Sequence, residues 1–287
     1  SGIHYWTGDP NRKLRSNMGV FTTAARDPIF YAHHANVDRL WDVWTTLPGG
    51  CRKDPTDEDY LEAEFLFYDE NQNLVKVKAK EAMDLSKMGV SYEAATEGDD
   101  LWKNFDPKPA AGNEGSQVQY AIDKMGVKEV SAALDNTAKA INLGSNFTAL
   151  VKLPTKKISS STSAGSGSSS DEQLDEVLVI QGVDMSREDY VNLKVFVNMP
   201  TADTKTAIYT AEYVGSSSIV PSPDAGKRLF TNVAMEVGDN LRRLGLDSEE
   251  YVVVTIVVDS FSGSPVTIRG IKIEYRSTMC TAISSSA

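Results

Sequence analysis

The sequence predicts a chain of mixed class, with a helical part carrying a small β-hairpin followed by a β-sandwich. Three observations carry that reading. The run from Asp27 to Thr46 combines a helix start, a helix stop and an apolar stripe of helical period. Residues 177–276 are β-branched or alternating segments separated by turn residues. Between the two, from Asp99 to Glu176, the composition shifts towards Pro, Gly and Ser. The boundaries that follow are 1–98 for the helical part, 99–147 for a linker, 148–276 for the sandwich with an internal Ser-rich loop at 159–170, and 277–287 for a tail. A chain of 287 residues with 41% apolar content can bury two cores. Its net charge of −11 repels nucleic acid and anionic membranes, and no apolar run approaches the ~20 residues that span a bilayer, so neither partner is expected.

Residues 1–26 read as a connecting segment with turns at Gly8-Asp9-Pro10-Asn11 and Ser16-Asn17-Met18-Gly19. In the next stretch Asp27 can cap free N–H groups, and Pro28 fits the first helical position, where its missing N–H costs nothing. Leu47-Pro48-Gly49-Gly50 stops the helix near Thr46. Phe30, Val37, Leu40, Trp41 and Trp44 recur at spacings of three and four, which predicts a stripe turned into a core. His33 and His34 lie on or beside that stripe. A histidine on an apolar face is more often a hydrogen-bonded core residue than a ligand. Here, however, all 3 histidines of the chain, His4, His33 and His34, fall within the first 34 positions. A neutral imidazole is a common copper, zinc or iron ligand whose second nitrogen needs an orienting partner, for which Asn36 and Asp38 are candidates. The helical wheel does not choose between His33 and His34.

Further on, Glu64 to Ala79 reads as a hairpin about an Asn-rich turn. Pro107, Lys108, Pro109 and Gly112 open the linker, residues 128–142 have weak helical patterning, and 159–170 hold only Ser, Thr, Ala and Gly, which predicts a flexible tract. Asn146-Phe147-Thr148 is a glycosylation sequon, used only in a secreted protein. Segments 177–180, 192–197, 251–258 and 266–274 are the expected sandwich strands. Cys51 and Cys280 are too few for a disulfide scaffold and are open to pairing or to remaining thiols.

Asp27-Pro28-x-Phe30-x-x-x-His34-x-x-x-Asp38 resembles the second copper-site signature of the type 3 copper proteins. The run from Phe30 to Trp41 is similar to its plant polyphenol oxidase version. The resemblance implies that His34 is a ligand, that His33 supports it, and that His4 is a second ligand, since His4-Tyr5-Trp6-Thr7-Gly8-Asp9 resembles the latter half of the family's His-x-x-x-His plus Trp-x-Gly-Asp motif. The first histidine of that pair is expected immediately before Ser1, so the upstream part of the same polypeptide is expected as a partner. By the same resemblance Phe21 leans over the copper pair and stacks on the phenol ring. On the residues alone it reads equally well as a staple near the helix start. Tyr5 holds a position that lines the substrate entrance.

The hairpin region resembles the family's Asp-Trp-Leu region, with Tyr60 in place of the tryptophan. Lys87 to Tyr92 resembles its tyrosine motif, with Val90 where a first tyrosine is usual. Leu193 to Val197 matches the Lys-Phe-Asp-Val strand of its C-terminal domain.

The resemblance implies a helical copper domain followed by a sandwich that shields it. Two copper ions and O₂ would oxidise o-diphenols to o-quinones, with monophenol hydroxylation left open. The protein would lie in a plastid (thylakoid lumen) or in the vacuole or secretory pathway. Ile208 is the best apolar candidate for a plug in the substrate position, a buried loop anchor being equally compatible with its surroundings. Cutting at 159–170 is expected to release the shield, and this chain alone is expected to be inactive. A haemocyanin-like oxygen carrier and a non-catalytic shielding fragment are the rival readings.

Overall fold

The computed structural model describes residues 2–47, 52–94, 101–129, 140–155, 173–222, 227–260 and 262–278. Both cysteines and the 159–170 tract lie outside the described residues. The chain forms two compact units, Ser1–Tyr31 with Asp106–Ala287 and Ala32–Phe105. The contact division between the units falls after Phe105. Residues 1–31, read from the sequence as belonging with the helical part, group with the strand-rich region.

In chain order α1 (Gly2–Thr7) and α2 (Phe21–Ala24) precede α3 (Pro28–Thr46). Asp27 caps α3 as expected: its Oδ1 accepts from the Ile29 N–H at 3.1 Å, and Pro28 is the first helical residue. The expected burial of the stripe is overturned. No residue of α3 is buried, and Val37, Trp41 and Trp44 are 48%, 42% and 37% exposed. An α-helix satisfies its own backbone, so it persists with one face uncovered. Among the described residues of its unit, the segments around Asp54, Tyr60 and Met83 and a hairpin stand opposite the Val37–Trp41 face.

Beyond α4 (Glu58–Leu61), that hairpin pairs β1 (Glu64–Tyr68) with β2 (Leu74–Lys78), from Glu64↔Lys78 to Tyr68↔Leu74. Its turn is built on Asp69, whose Oδ1 accepts the N–H groups of Asn71 at 2.9 Å and Asn73 at 2.7 Å.

After α5 (Val118–Met125), the strands are β3 (Ile141–Asn142), β4 (Asn146–Lys152), β5 (Gln173–Ser186), β6 (Val191–Val197), β7 (Tyr213–Ile219) and β8 (Arg228–Glu236). Then come α6 (Gly238–Leu244), β9 (Tyr251–Ser260), β10 (Thr267–Ile268) and β11 (Gly270–Thr278). One antiparallel sheet runs β4-β9-β6-β7. In the other, β5 is flanked by β11 and β10 on one side and β8 on the other. Leu178 and Ile180 of β5, Leu193 and Val195 of β6, Val254 and Ile256 of β9 and Ile271 of β11 meet in one core drawn from both sheets. Each such side chain contributes roughly 1.5–3 kcal/mol by leaving water.

The apolar run of β9, broken only at Thr255, has a second cause. Val253 and Val257 point away from that core and are covered by the segment read from the sequence as a linker. Val253 packs with Ala121 and Leu150, and Val257 packs with Phe196 and Met199 next to Ala110. This segment is a strap fastened by buried polar groups. The fully buried Glu212 accepts from the Ala110 N–H at 2.9 Å and from Asn113 Nδ2 at 2.8 Å. Asn198 accepts from the Gln117 N–H through Oδ1 and donates to the Gly115 carbonyl through Nδ2, both at 2.8 Å.

Three further expectations change. The helical patterning of 128–142 gives way at both ends, where Glu129 bridges to Leu150 and Ile141–Asn142 is a strand; residues 130–139 lie outside the described residues. Strands β7 and β8 and helix α6 were not foreseen, because Ser216-Ser217-Ser218 and the mixed Arg228–Glu236 run carry little β signal. Finally, 159–170 connects β4 to β5. These strands lie in different sheets of one unit and share one core, so a cut there does not detach the strand-rich part.

Candidate metal centre

Helix α1 has six residues, far below the length at which an isolated helix holds its shape in water. It is held by its two buried side chains, His4 and Tyr5. The Nδ1 of His4 lies 3.2 Å from the carbonyl oxygen of Met18, which is itself fully buried. A carbonyl only accepts, so Nδ1 carries the proton and Nε2 the lone pair, the tautomer that suits a metal ligand.

That carbonyl is placed by a tight loop. A Cβ on Gly8 or on Gly19 would lie 2.5 Å from the Arg15 carbonyl oxygen, so only glycine allows the two ends to close on Arg15. Asn17 then ties the loop to the start of α3: its Oδ1 accepts from the Asp9 N–H at 3.0 Å, and its Nδ2 donates to Asp27 Oδ2 at 2.8 Å.

Two aromatic rings flank His4 edge-on, Phe30 at 5.7 Å and Phe21 at 6.4 Å between centroids. Phe21 is 54% exposed, so it does not act as a buried staple; it stands beside the imidazole with much of its ring open. Tyr5 points elsewhere. Its ring stacks on Tyr190 at 4.0 Å with planes 8° apart, and the Arg15 guanidinium lies 5.2 Å from its centroid. Burial, above all, pushes both hydroxyls above the usual phenol range.

In the second unit, His34 lies with Val37, Asp38 and Trp41 along one face of α3. That face lines a groove of about 530 Å³ opposite Phe65, Phe67 and Val77 of the hairpin. His33 is not part of the lining, and the two imidazole centroids are 5.4 Å apart. Asp38 accepts a hydrogen bond from the Tyr92 hydroxyl, which is pushed up to about 12 mainly by that bond. The tyrosine motif thus fastens onto α3, the helix that carries His33 and His34. Asn36 accepts from Arg39 Nε at 3.2 Å. In the first unit, Ile208 and Tyr209 protrude from the irregular stretch between β6 and β7, 54% and 68% exposed.

Neutral, borderline-soft imidazoles fit copper as a donor type. In number the set is short: among the described residues no three His, Cys, Asp or Glu side chains converge on one point. What sequence reasoning missed are the residues that hold others in place, namely Met18, Asn17, Tyr92 through its partner Asp38, and Tyr190. Gly8 and Gly19 were the visible signal for the first two.

Comparison with known proteins draws these observations together. Residues 1–47 match the common central domain of tyrosinase, 54–108 the polyphenol oxidase middle domain, and 141–275 the chloroplastic polyphenol oxidase C-terminal domain. The chain is 35% identical to the latent, chloroplastic polyphenol oxidase of Prunus armeniaca over 96% of its own length and 43% of that protein. Against the aureusidin synthase of Antirrhinum majus it is again 35% identical, over 95% of itself and 46% of the relative. It therefore spans about half the length of the curated relatives it matches. Among solved structures, latent apple tyrosinase superposes with a TM-score of 0.73 at 32% identity, over 95% of this chain and 54% of that one. A recombinant latent aurone synthase does so with 0.76 at 28%, over 97% and 51%. With the central, middle and C-terminal domains matched in series along it, the chain belongs to the plant polyphenol oxidases.

Proposed function

We propose that the protein to which these residues belong is a copper-dependent polyphenol oxidase that uses O₂ to oxidise o-diphenols to o-quinones. The observation that carries this reading is the His4 site, an imidazole fixed by the Met18 carbonyl with an open phenylalanine ring beside it. His4 and His34 are the ligands this chain contributes to a pair of copper ions, and the upstream polypeptide contributes the others. Copper bound there supplies the one-electron chemistry that couples O₂ to phenol oxidation. The chain's own residues do the positioning. The Met18 carbonyl holds the His4 tautomer, His33, Asn36 and Asp38 support the α3 side, and the exposed ring of Phe21 stacks on the phenol. Tyr5, stacked on Tyr190, holds the short helix that carries His4. The strand-rich part, a sandwich in architecture, serves as the shield of the site, with Ile208 as its plug. Relatives named as chloroplastic support a plastid location over the vacuole or secretory pathway.

The test is expression of the complete polypeptide, with copper per chain and catechol oxidation measured after each substitution. His34→Ala and His4→Ala lower copper content and abolish oxidation. His33→Ala keeps most of the copper. Full copper in His34→Ala overturns the assignment. This chain by itself binds copper weakly and shows no oxidase activity.

A further inference from the structure

We propose that Tyr190 is a positioning residue for His4, acting through Tyr5, so that the strand-rich part sets the geometry of the imidazole as well as covering it. This deepens the copper reading and rests on it only where copper is the readout. Successive residues of an α-helix project about 100° apart, so on α1 the His4 and Tyr5 side chains leave on different sides. His4 faces Met18, Phe21 and Phe30, while Tyr5 lies on Tyr190. A helix of six residues has no rigidity of its own, so its rotation about its axis is fixed by whatever grips those two side chains.

The grip on the Tyr5 side is firm. Tyr190 immediately precedes β6, which is paired on both edges, with β7 and with β9. Next to it, the buried Asp189 accepts the Ser262 N–H at 3.1 Å, tying the start of β6 to the segment after β9. Both stacked tyrosines are 8% exposed, and Arg15 adds its cation to the Tyr5 ring. A Cβ on Gly2 would lie 3.7 Å from the Tyr190 hydroxyl, so the first residue of α1 also lies near Tyr190. A turn of α1 that broke this stack would swing His4 away from Met18.

The first arm of the test needs no metal. The chain has 3 histidines, so the His4 ring nitrogens are assignable by long-range nitrogen–proton NMR. The wild type and Tyr190→Phe, which keeps the stack, should show His4 locked in the Nδ1–H tautomer. Tyr190→Ala should show a tautomer average like that of a solvated imidazole. Tyr251→Ala, a tyrosine packed elsewhere on the same unit, controls for lost stability and should keep the lock. A locked tautomer in Tyr190→Ala, or equal loss in Tyr251→Ala, overturns the proposal.

In the second arm the complete polypeptide is loaded with copper, and metal transfer to a chelator is timed. Tyr190→Ala should release copper on the order of tenfold faster than Tyr251→Ala, within the range typical of lost outer-shell support. Equal release from the two variants overturns the proposal even if His4→Ala has emptied the site. If His4→Ala leaves copper binding unchanged, the copper reading fails, and the tautomer arm still decides whether Tyr190 positions His4.

Discussion

Helix α3 and strand β9 both carry clear apolar patterns in the sequence, and they end in opposite states. Seven consecutive residues of β9, Val252 to Val258, are buried, whereas α3 buries none of its 19 residues. The difference is one of self-sufficiency. A helix closes its own hydrogen bonds and can stand with its stripe in water. A strand forms only when neighbours pair with its backbone, and an apolar run on both of its faces requires cover on both. For β9 the chain provides all of this: β4 and β6 at the edges, the second sheet beneath and the 106–129 strap above. The segment with the clearest chemical signature is thus the one whose packing this chain leaves open.

Substitutions in the two regions should separate accordingly. Phe196→Ala should lower the urea-unfolding free energy of the strand-rich unit by about 3–5 kcal/mol, the usual cost of emptying a phenylalanine site in a core. Trp44→Ala on α3 should change it by less than about 0.5 kcal/mol, as at an ordinary surface position. Comparable losses would mean that α3 is buried in solution.

Next in size is the strap. Glu212→Ala leaves the part-buried Ala110 N–H without its acceptor and the Asn113 amide with the Asn198 carbonyl alone, which costs about 1–3 kcal/mol. It should speed hydrogen exchange in residues 108–117 before the sheets open. Uniform exchange across the unit would show that strap and sheets unfold together.

Gly19→Ala comes third. Its Cβ meets the Arg15 carbonyl oxygen, an overpacking cost of about 1–3 kcal/mol, and it displaces the Met18 carbonyl from His4. In the complete polypeptide copper affinity should fall about 10–100-fold. Unchanged copper retention would detach Met18 from the metal site.

The smallest effect is at Tyr92. Its hydroxyl is pushed up to about 12, so the bond to Asp38 stabilises fully below the ordinary phenol value and is lost as pH rises through 12. Asp38→Ala should bring one phenolate transition near 295 nm down from about 12 towards the ordinary phenol range. If no transition moves, the two groups are not bonded.

How much was legible follows the same division. Asp27-Pro28 and the closing Leu47 fixed α3 to the residue, because caps are local chemistry, and Asp69 to Asn73 placed the hairpin turn for the same reason. The ligand candidates were legible through a rare residue type in a tight motif. What holds them was not: Met18 and Tyr190 act through a carbonyl and a ring face, groups that any sequence offers in abundance and that only tertiary structure selects. The strap was misread because Pro and Gly signal irregular backbone, and irregular backbone can be either a tether or a cover. The eight-residue run from Tyr251 held the clue, since a strand apolar on both faces demands a lid.

The strap also bears on how such a protein ages once proteases reach it. A break before Asp106 leaves the cover over the sheet in place. A break within that segment lets its stub peel away and bares Phe196, Val253 and Val257 as one greasy panel beside paired strands, a surface that sticks to copies of itself. A few residues' difference in where the chain is nicked then separates a soluble fragment from a precipitate.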